Sequence, residues 1–204
     1  MGRSKSSRAW LERHVNDPYV QRAVAAGYRS RAAFKLLELD ARDRLLARGQ
    51  LVIDLGAAPG GWSQVAAAKV GPGGRVIAID LAPMAPIPGV AFIQGDFADP
   101  AARAALEAAL GGTPADLVLS DLSPSLSGIR ASDQARAAAL AELAVDFALA
   151  HLRRGGVFVL KAFQGAGFPP LLARLRREFG EVSARKPAAS RSASSEMYLV
   201  ARRR

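Results

Sequence analysis

The alternation that begins at residue 51 constrains this chain more than any other feature: short runs rich in Val, Ile and Leu are separated by longer stretches whose apolar residues recur every three or four positions. That pattern marks βαβ units and a mostly parallel sheet. Strands are predicted over 51–55, 75–80, 90–94, 116–120 and 156–161, then 182–186 and 197–201. Helices are predicted over 62–70, 100–110, 132–152 and 169–179, and only a loop joins the last two strands. A sheet that closes on such a hairpin-like pair carries one antiparallel strand. The expected fold class is therefore α/β: a doubly wound, mostly parallel sheet of seven strands with helices on both faces.

At 204 residues, half of them apolar, the chain can bury one substantial core and is short for two. A single domain over 1–204 is expected, with a basic helical arm at 1–48 and the alternating core at 49–204. Ser30 is placed to cap a helix running from 31 to about 46, with Phe34, Leu37 and Leu45 turned inward. No apolar run approaches the roughly 20 residues that span a bilayer, and the first residues lack the apolar stretch of an export signal. A cytoplasmic protein with no membrane partner is expected. The opening Met1-Gly2-Arg3-Ser4-Lys5-Ser6 fits a myristoylation pattern, but so short a match is read as chance.

Cysteine is absent, which excludes disulfides, thiolate metal sites and a thiol nucleophile. His14 and His151 stand in no metal-ligand or triad spacing, so no metal is expected. The formal charge of +10 is concentrated at the ends: eleven basic against five acidic residues in 1–48, and nine against three in 174–204. The middle is slightly acidic. Basic flanks around such a body suit a polyanion gripped at the ends, and Arg3, Lys5, Arg8 and Arg31 are expected to contribute to its affinity.

The sharpest local signal is Val52-Ile53-Asp54-Leu55-Gly56-Ala57-Ala58-Pro59-Gly60-Gly61-Trp62, a strand entering a glycine-rich turn and then a helix. Its spacing is neither that of a dinucleotide fingerprint nor that of a phosphate loop. Asp80 ends the second predicted strand and Asp96 follows the third. Each alone reads as a turn or cap residue, yet acids at successive C-terminal strand ends line one crevice, where open α/β sheets bind ligands. An acidic lining suits a cationic sulfonium carrying a ribose better than it suits a pyrophosphate.

Four residues far apart in sequence remain: Lys35 in Arg31-Ala32-Ala33-Phe34-Lys35, Asp121 in Ser120-Asp121-Leu122-Ser123-Pro124, Lys161 in Val159-Leu160-Lys161-Ala162-Phe163-Gln164-Gly165, and Glu196 in Ser194-Ser195-Glu196-Met197-Tyr198. Singly, each lysine reads as a solvated or snorkelling side chain and Glu196 as a surface ion-pair member. As a set at one sheet edge they have no shared packing explanation. The set resembles the Lys-Asp-Lys-Glu tetrad of the FtsJ-like RNA 2′-O-methyltransferases, and the resemblance runs from about Trp10 to Ala201.

The resemblance implies a Rossmann-like class I methyltransferase fold and S-adenosyl-L-methionine as cofactor. It places Gly60, Trp62, Asp80, Asp96 and Asp121 at the cofactor, and Lys35, Asp121, Lys161 and Glu196 in the catalytic tetrad with Lys161 as proton acceptor. Similarity to the bacterial ribosomal branch implies 23S ribosomal RNA in the large subunit as partner and a uridine as target; a monomer is expected, although the sequence does not fix the oligomeric state. One departure is Leu122-Ser123-Pro124-Ser125, where members commonly carry Met-Ala-Pro-Asn, so Ser125 puts the contacts of that loop in question.

The chemistry is coherent on its own terms. Alkylating a ribose hydroxyl needs no metal; it needs in-line alignment and a base that takes the proton as the bond forms. Lysine serves only where its charged form is disfavoured, towards which the apolar run before Lys161 and a second cation at Lys35 both work, with Asp121 and Glu196 opposing. Carbon-5 methylation of a pyrimidine would need the missing cysteine. Methylation of an exocyclic amine would need paired prolines and an aromatic residue after Asp121, which are absent. Transfer RNA as substrate, and a non-catalytic RNA-binding assembly factor, remain open alternatives.

Overall fold

The computed structural model describes residues 17–125 and 127–204. The chain opens with α1 (Pro18–Ala25) and α2 (Ala32–Asp43). There follow β1 (Leu51–Leu55), α3 (Gly61–Val70), β2 (Arg75–Asp80), β3 (Val90–Gln94), α4 (Pro100–Leu110) and β4 (Ala115–Ser120). The last part holds α5 (Arg130–His151), β5 (Leu152–Phe163), α6 (Phe168–Glu178), β6 (Glu181–Arg185) and β7 (Glu196–Arg202). The strands form one seven-stranded sheet in the order β3-β2-β1-β4-β5-β7-β6. β1 to β5 pair in parallel, and β7 runs antiparallel to both β5 and β6.

Strand alternation sorts the apolar side chains into two cores. Ile53, Val118, Phe158, Leu160 and Leu199 face α4, α5 and α6. Val52, Leu119, Val159, Tyr198 and Val200 face α2 and α3. This sorting positions the site. Asp121 and Lys161 each lie two residues beyond a member of the second group, and Glu196 lies two before one, so all three inherit the α2 side of the sheet.

Two details of the arm differ from expectation. Ser30 does not cap α2 with its side chain: its main-chain carbonyl accepts from Ala33 N at 3.2 Å, while its buried hydroxyl lies against Gly61 with no partner among the described residues. The helix also stops at Asp43 rather than near 46. Arg44 turns left-handed (φ 52°), and the buried Asp40 carboxylate draws the chain away by accepting from Leu45 N (3.0 Å) and Leu46 N (2.8 Å). α1 is unexpected, though Asp17 caps it by accepting from Tyr19 N at 3.0 Å with Pro18 in its first turn.

Gly56 shows why the glycine turn must be glycine. Its φ is +80°, and a Cβ there would stand 2.9 Å from Leu122 N, since the turn after β1 and the chain leaving β4 touch at this point. Gly49 has the same φ with nothing within 4 Å. Gly56→Ala is expected to cost about 2–4 kcal/mol, seen as a thermal midpoint lowered by roughly 5–10 °C. Gly49→Ala, which carries only the backbone strain, should lose less; equal losses in the two melts would contradict the close-approach account.

Candidate active site

The tetrad predicted from sequence converges. Lys35 Nζ, from α2, is 2.7 Å from Glu196 Oε1 at the start of β7 and donates to the Tyr198 hydroxyl at 3.2 Å. Tyr198 in turn donates to Asp121 Oδ1 at 2.9 Å. Lys161 Nζ, from β5, donates to the Asp121 carbonyl at 2.6 Å and lies 3.1 Å from Asp121 Oδ1. The β5–β7 register places Lys161 directly opposite Tyr198, which is how residues 37 apart in the chain share one spot on the sheet.

Tyr198 is the residue that sequence reasoning missed. Its hydroxyl stands between the two halves of the tetrad, so the lysines are linked through Tyr198 and Asp121. Burial first, then the charges of Asp121 and Glu196, push its phenol well above the ordinary tyrosine range. The hydroxyl therefore keeps its proton and donates to Asp121 while accepting from Lys35. The available signal was its place two residues after Glu196 on a strand, hence on the same face.

The five residues expected at the cofactor occupy the C-terminal sheet edge, with different side-chain environments. Gly60 (φ +110°) is the N-cap of α3, and a Cβ there would meet Ile87 Cδ1 at 2.7 Å and Met84 Sδ at 2.9 Å, so the loop after β2 packs on it. The Trp62 side chain belongs to the core: its indole donates to Ala32 O at 2.7 Å and its ring lies 5.6 Å from Tyr198. Asp80 accepts from Ala58 N (2.9 Å) and Ala82 N (2.8 Å), so it shapes the glycine turn as well as ending β2. Asp96 is exposed, two residues beyond β3, and accepts from Ala98 N at 2.8 Å. Asp121 immediately follows β4 and belongs to the tetrad as well.

Beneath them lies Asp54, fully buried. Ser63 Oγ donates to its Oδ2 at 2.6 Å, and its Oδ1 has no partner among the described residues. Burial chiefly, with the charges of Asp121 and Asp80 adding and the Ser63 hydrogen bonds opposing, raises its carboxyl to about 7. Asp121 and Asp80 both lie close enough to act on the buried Asp54, and a crevice with this acidic lining favours a cation. The residues present thus fit a sulfonium cofactor, and among the described residues no group of three potential metal ligands is found.

The loop after β4 is held by Asp133, a second residue not singled out from sequence. It accepts from Ser127 N (2.8 Å), Ser127 Oγ (2.7 Å) and Gly128 N (3.2 Å), and these bonds from Ser127 bring its carboxyl down to about 2. Ser125, where the loop departs from the commoner family sequence, is exposed. Arg31, expected to contribute to affinity for a polyanion, has its guanidinium bonded within the protein: it lies 2.8 Å from Asp17 Oδ2 and donates to Ala189 O at 2.5 Å. Arg3, Lys5, Arg8 and His14 lie outside the described residues. His151 meets Glu107 Oε1 at 3.1 Å at the end of α5.

A doubly wound sheet with one antiparallel strand, an acidic crevice beside its glycine turn and no phosphate-loop sequence defines an S-adenosyl-L-methionine-dependent methyltransferase. The model of the FtsJ-like methyltransferase family matches residues 28–204, and the chain belongs to that family. It is 56% identical to the ribosomal RNA large subunit methyltransferase E of Azoarcus sp., over 98% of each chain. The protein of the same name from Chromobacterium violaceum is 52% identical over the whole of both. Among solved structures, a protein of Plasmodium falciparum described as a ribosomal RNA methyltransferase is 30% identical, with a TM-score of 0.74 over 86% of this chain and 98% of that one. Fibrillarin from Aeropyrum pernix, solved with S-adenosyl-L-methionine, shares the fold at 17% identity and a TM-score of 0.58, over 85% of this chain and 75% of that one.

Two measurements follow from these environments. Asp54 holds its proton in the folded state to a higher pH than when unfolded, so folding stability should fall as pH rises from about 4 to 7, by about 1.4 kcal/mol per unit at most. Asp54→Asn, isosteric with the protonated acid, should flatten that part of a melting-against-pH profile; parallel profiles would contradict the buried-acid assignment. Tyr198→Phe strands the Lys35 and Asp121 groups it joins and should cost about 1–3 kcal/mol in chemical denaturation, an unchanged midpoint counting against the bridge.

Proposed function

We propose that the chain transfers the methyl group of S-adenosyl-L-methionine to the ribose 2′-hydroxyl of a uridine in 23S ribosomal RNA of the large subunit, acting as a cytoplasmic monomer. The names of its relatives support a large-subunit ribosomal RNA substrate. The observation that carries the ribose assignment is the anchoring of Lys161 Nζ by two oxygens of Asp121, at 2.6 and 3.1 Å.

A neutral amine has two N–H bonds and one lone pair. If both N–H bonds are spent on Asp121, the lone pair points elsewhere, where it can accept a proton from a hydroxyl. Lys161 has only 8% of its side chain exposed, so the amine is shielded from bulk water. Lys35, paired with Glu196 and bonded to Tyr198, balances the carboxylates from the α2 side. When bound, the cofactor supplies an electrophilic methyl group on a sulfonium. The chain's own residues orient the hydroxyl, exclude water and receive its proton at Lys161 Nζ, a step worth about 10²–10⁴-fold.

The charge distribution supports a polyanionic substrate: both ends of the chain are basic, and the body holding the acidic crevice is not. Phosphate contacts from such flanks would hold RNA without reading its sequence.

Lys161→Ala and Lys161→Arg should each reduce methyl transfer from labelled cofactor to large subunits by at least about 100-fold, with cofactor binding by calorimetry retained. The arginine variant tests proton acceptance, since its guanidinium keeps its charge. Activity close to wild type in either variant would remove Lys161 from the proposed role.

A further inference from the structure

On the α5 and α6 side of the sheet edge lies a cavity of about 350 Å³. Three chain segments close it: the loop leaving β4, the loop between β5 and α6, and the turn just before β7, represented by Ser123, Gly165 and Ser195. Its walls are mostly aliphatic and aromatic, with Leu160, Ala141, Phe163 and Phe168 among them. Of the four tetrad residues, Lys161 alone also lines it. Ser120 lines it too, paired in register with Leu160, and is 1% exposed. The Ser120 hydroxyl has no hydrogen-bond partner among the described residues. The lining also carries Arg130, Asp133 and Gln134; the unpaired Ser120 hydroxyl is set apart from them by its burial, and a buried hydroxyl left unpaired is uncommon and marks a place for a ligand's polar edge.

We infer that this cavity is the subsite for the unstacked base of the acceptor nucleotide, with Ser120 bonding to an edge of the heterocycle. The inference rests on the ribose reading given above. A 2′-oxygen placed at Lys161 fixes where its base can go, because the base is borne on the carbon next to the one carrying that oxygen. The cavity shares Lys161 with the tetrad, and its volume falls in the range of small-ligand pockets. The occupant is flat and largely apolar with a polar rim, which matches a lining of aliphatic and aromatic side chains interrupted by Ser120, Asp133 and Gln134. A base must leave its stack to enter, so the subsite selects single-stranded or readily extruded nucleotides.

The test uses two variants of the full chain on large ribosomal subunits. Ala138→Leu fills the cavity from the outer face of α5, where Ala138 lines it and is exposed, so the helix tolerates the change. Ser120→Ala removes the hydroxyl alone. With saturating cofactor, single-turnover ribose methylation should fall at least tenfold in Ala138→Leu and threefold or more in Ser120→Ala. Cofactor affinity, measured by calorimetry, should stay within twofold of wild type in both and reports that they fold. Wild-type rates in both variants would overturn the subsite while leaving the ribose reading intact. Failure of the unaltered chain to methylate any ribose would overturn the ribose reading, and the subsite with it.

Discussion

The site depends on one partly buried polar chain, running from Lys35 through Tyr198 and Asp121 to Lys161. Every member sits where the sheet or α2 would otherwise carry apolar contacts, so each must be satisfied by the next. Removing a neutral member such as the Tyr198 hydroxyl leaves its partners unsatisfied at a cost of about 1–3 kcal/mol, and removing one charge of a well-buried ion pair costs about 3–5 kcal/mol. The geometry therefore stands or falls as a unit. The antiparallel β7 makes this possible: it returns Glu196 and Tyr198 to the edge where the parallel strands end, with Tyr198 opposite Lys161.

The two faces of the sheet divide the labour. The α2 face carries the charged and hydrogen-bonding groups, and α2 is itself fastened to α3 by Trp62, whose indole donates to Ala32 O. The other face, under α5 and α6, is apolar up to the edge and opens there into the cavity beside Lys161. Between them, Gly56 lets the turn after β1 touch the exit of β4, so the acidic crevice adjoins Asp121.

Much of this was legible from residues alone, because strand periodicity and the acids at strand ends are local signals. The strands 51–55, 75–80 and 90–94 needed no revision. Features set by distant contacts were not legible. α2 ends early because Asp40 bonds to the chain beyond it. Ser30 lies against Gly61 instead of capping, Arg31 is drawn to Asp17 and Ala189, and Trp62 turns into the core. Tyr198 escaped notice for a different reason: a tyrosine on a core strand usually contributes packing, and its role as a bridge appears only when Lys35 is brought across from α2.

The most direct test of the central claim is a map of ribose methylation across ribosomal RNA from cells with and without this chain. A 2′-O-methyl group present on one large-subunit uridine only when the chain is present is the predicted result. Identical ribose maps, or a chain-dependent methyl group on a base, would contradict the account.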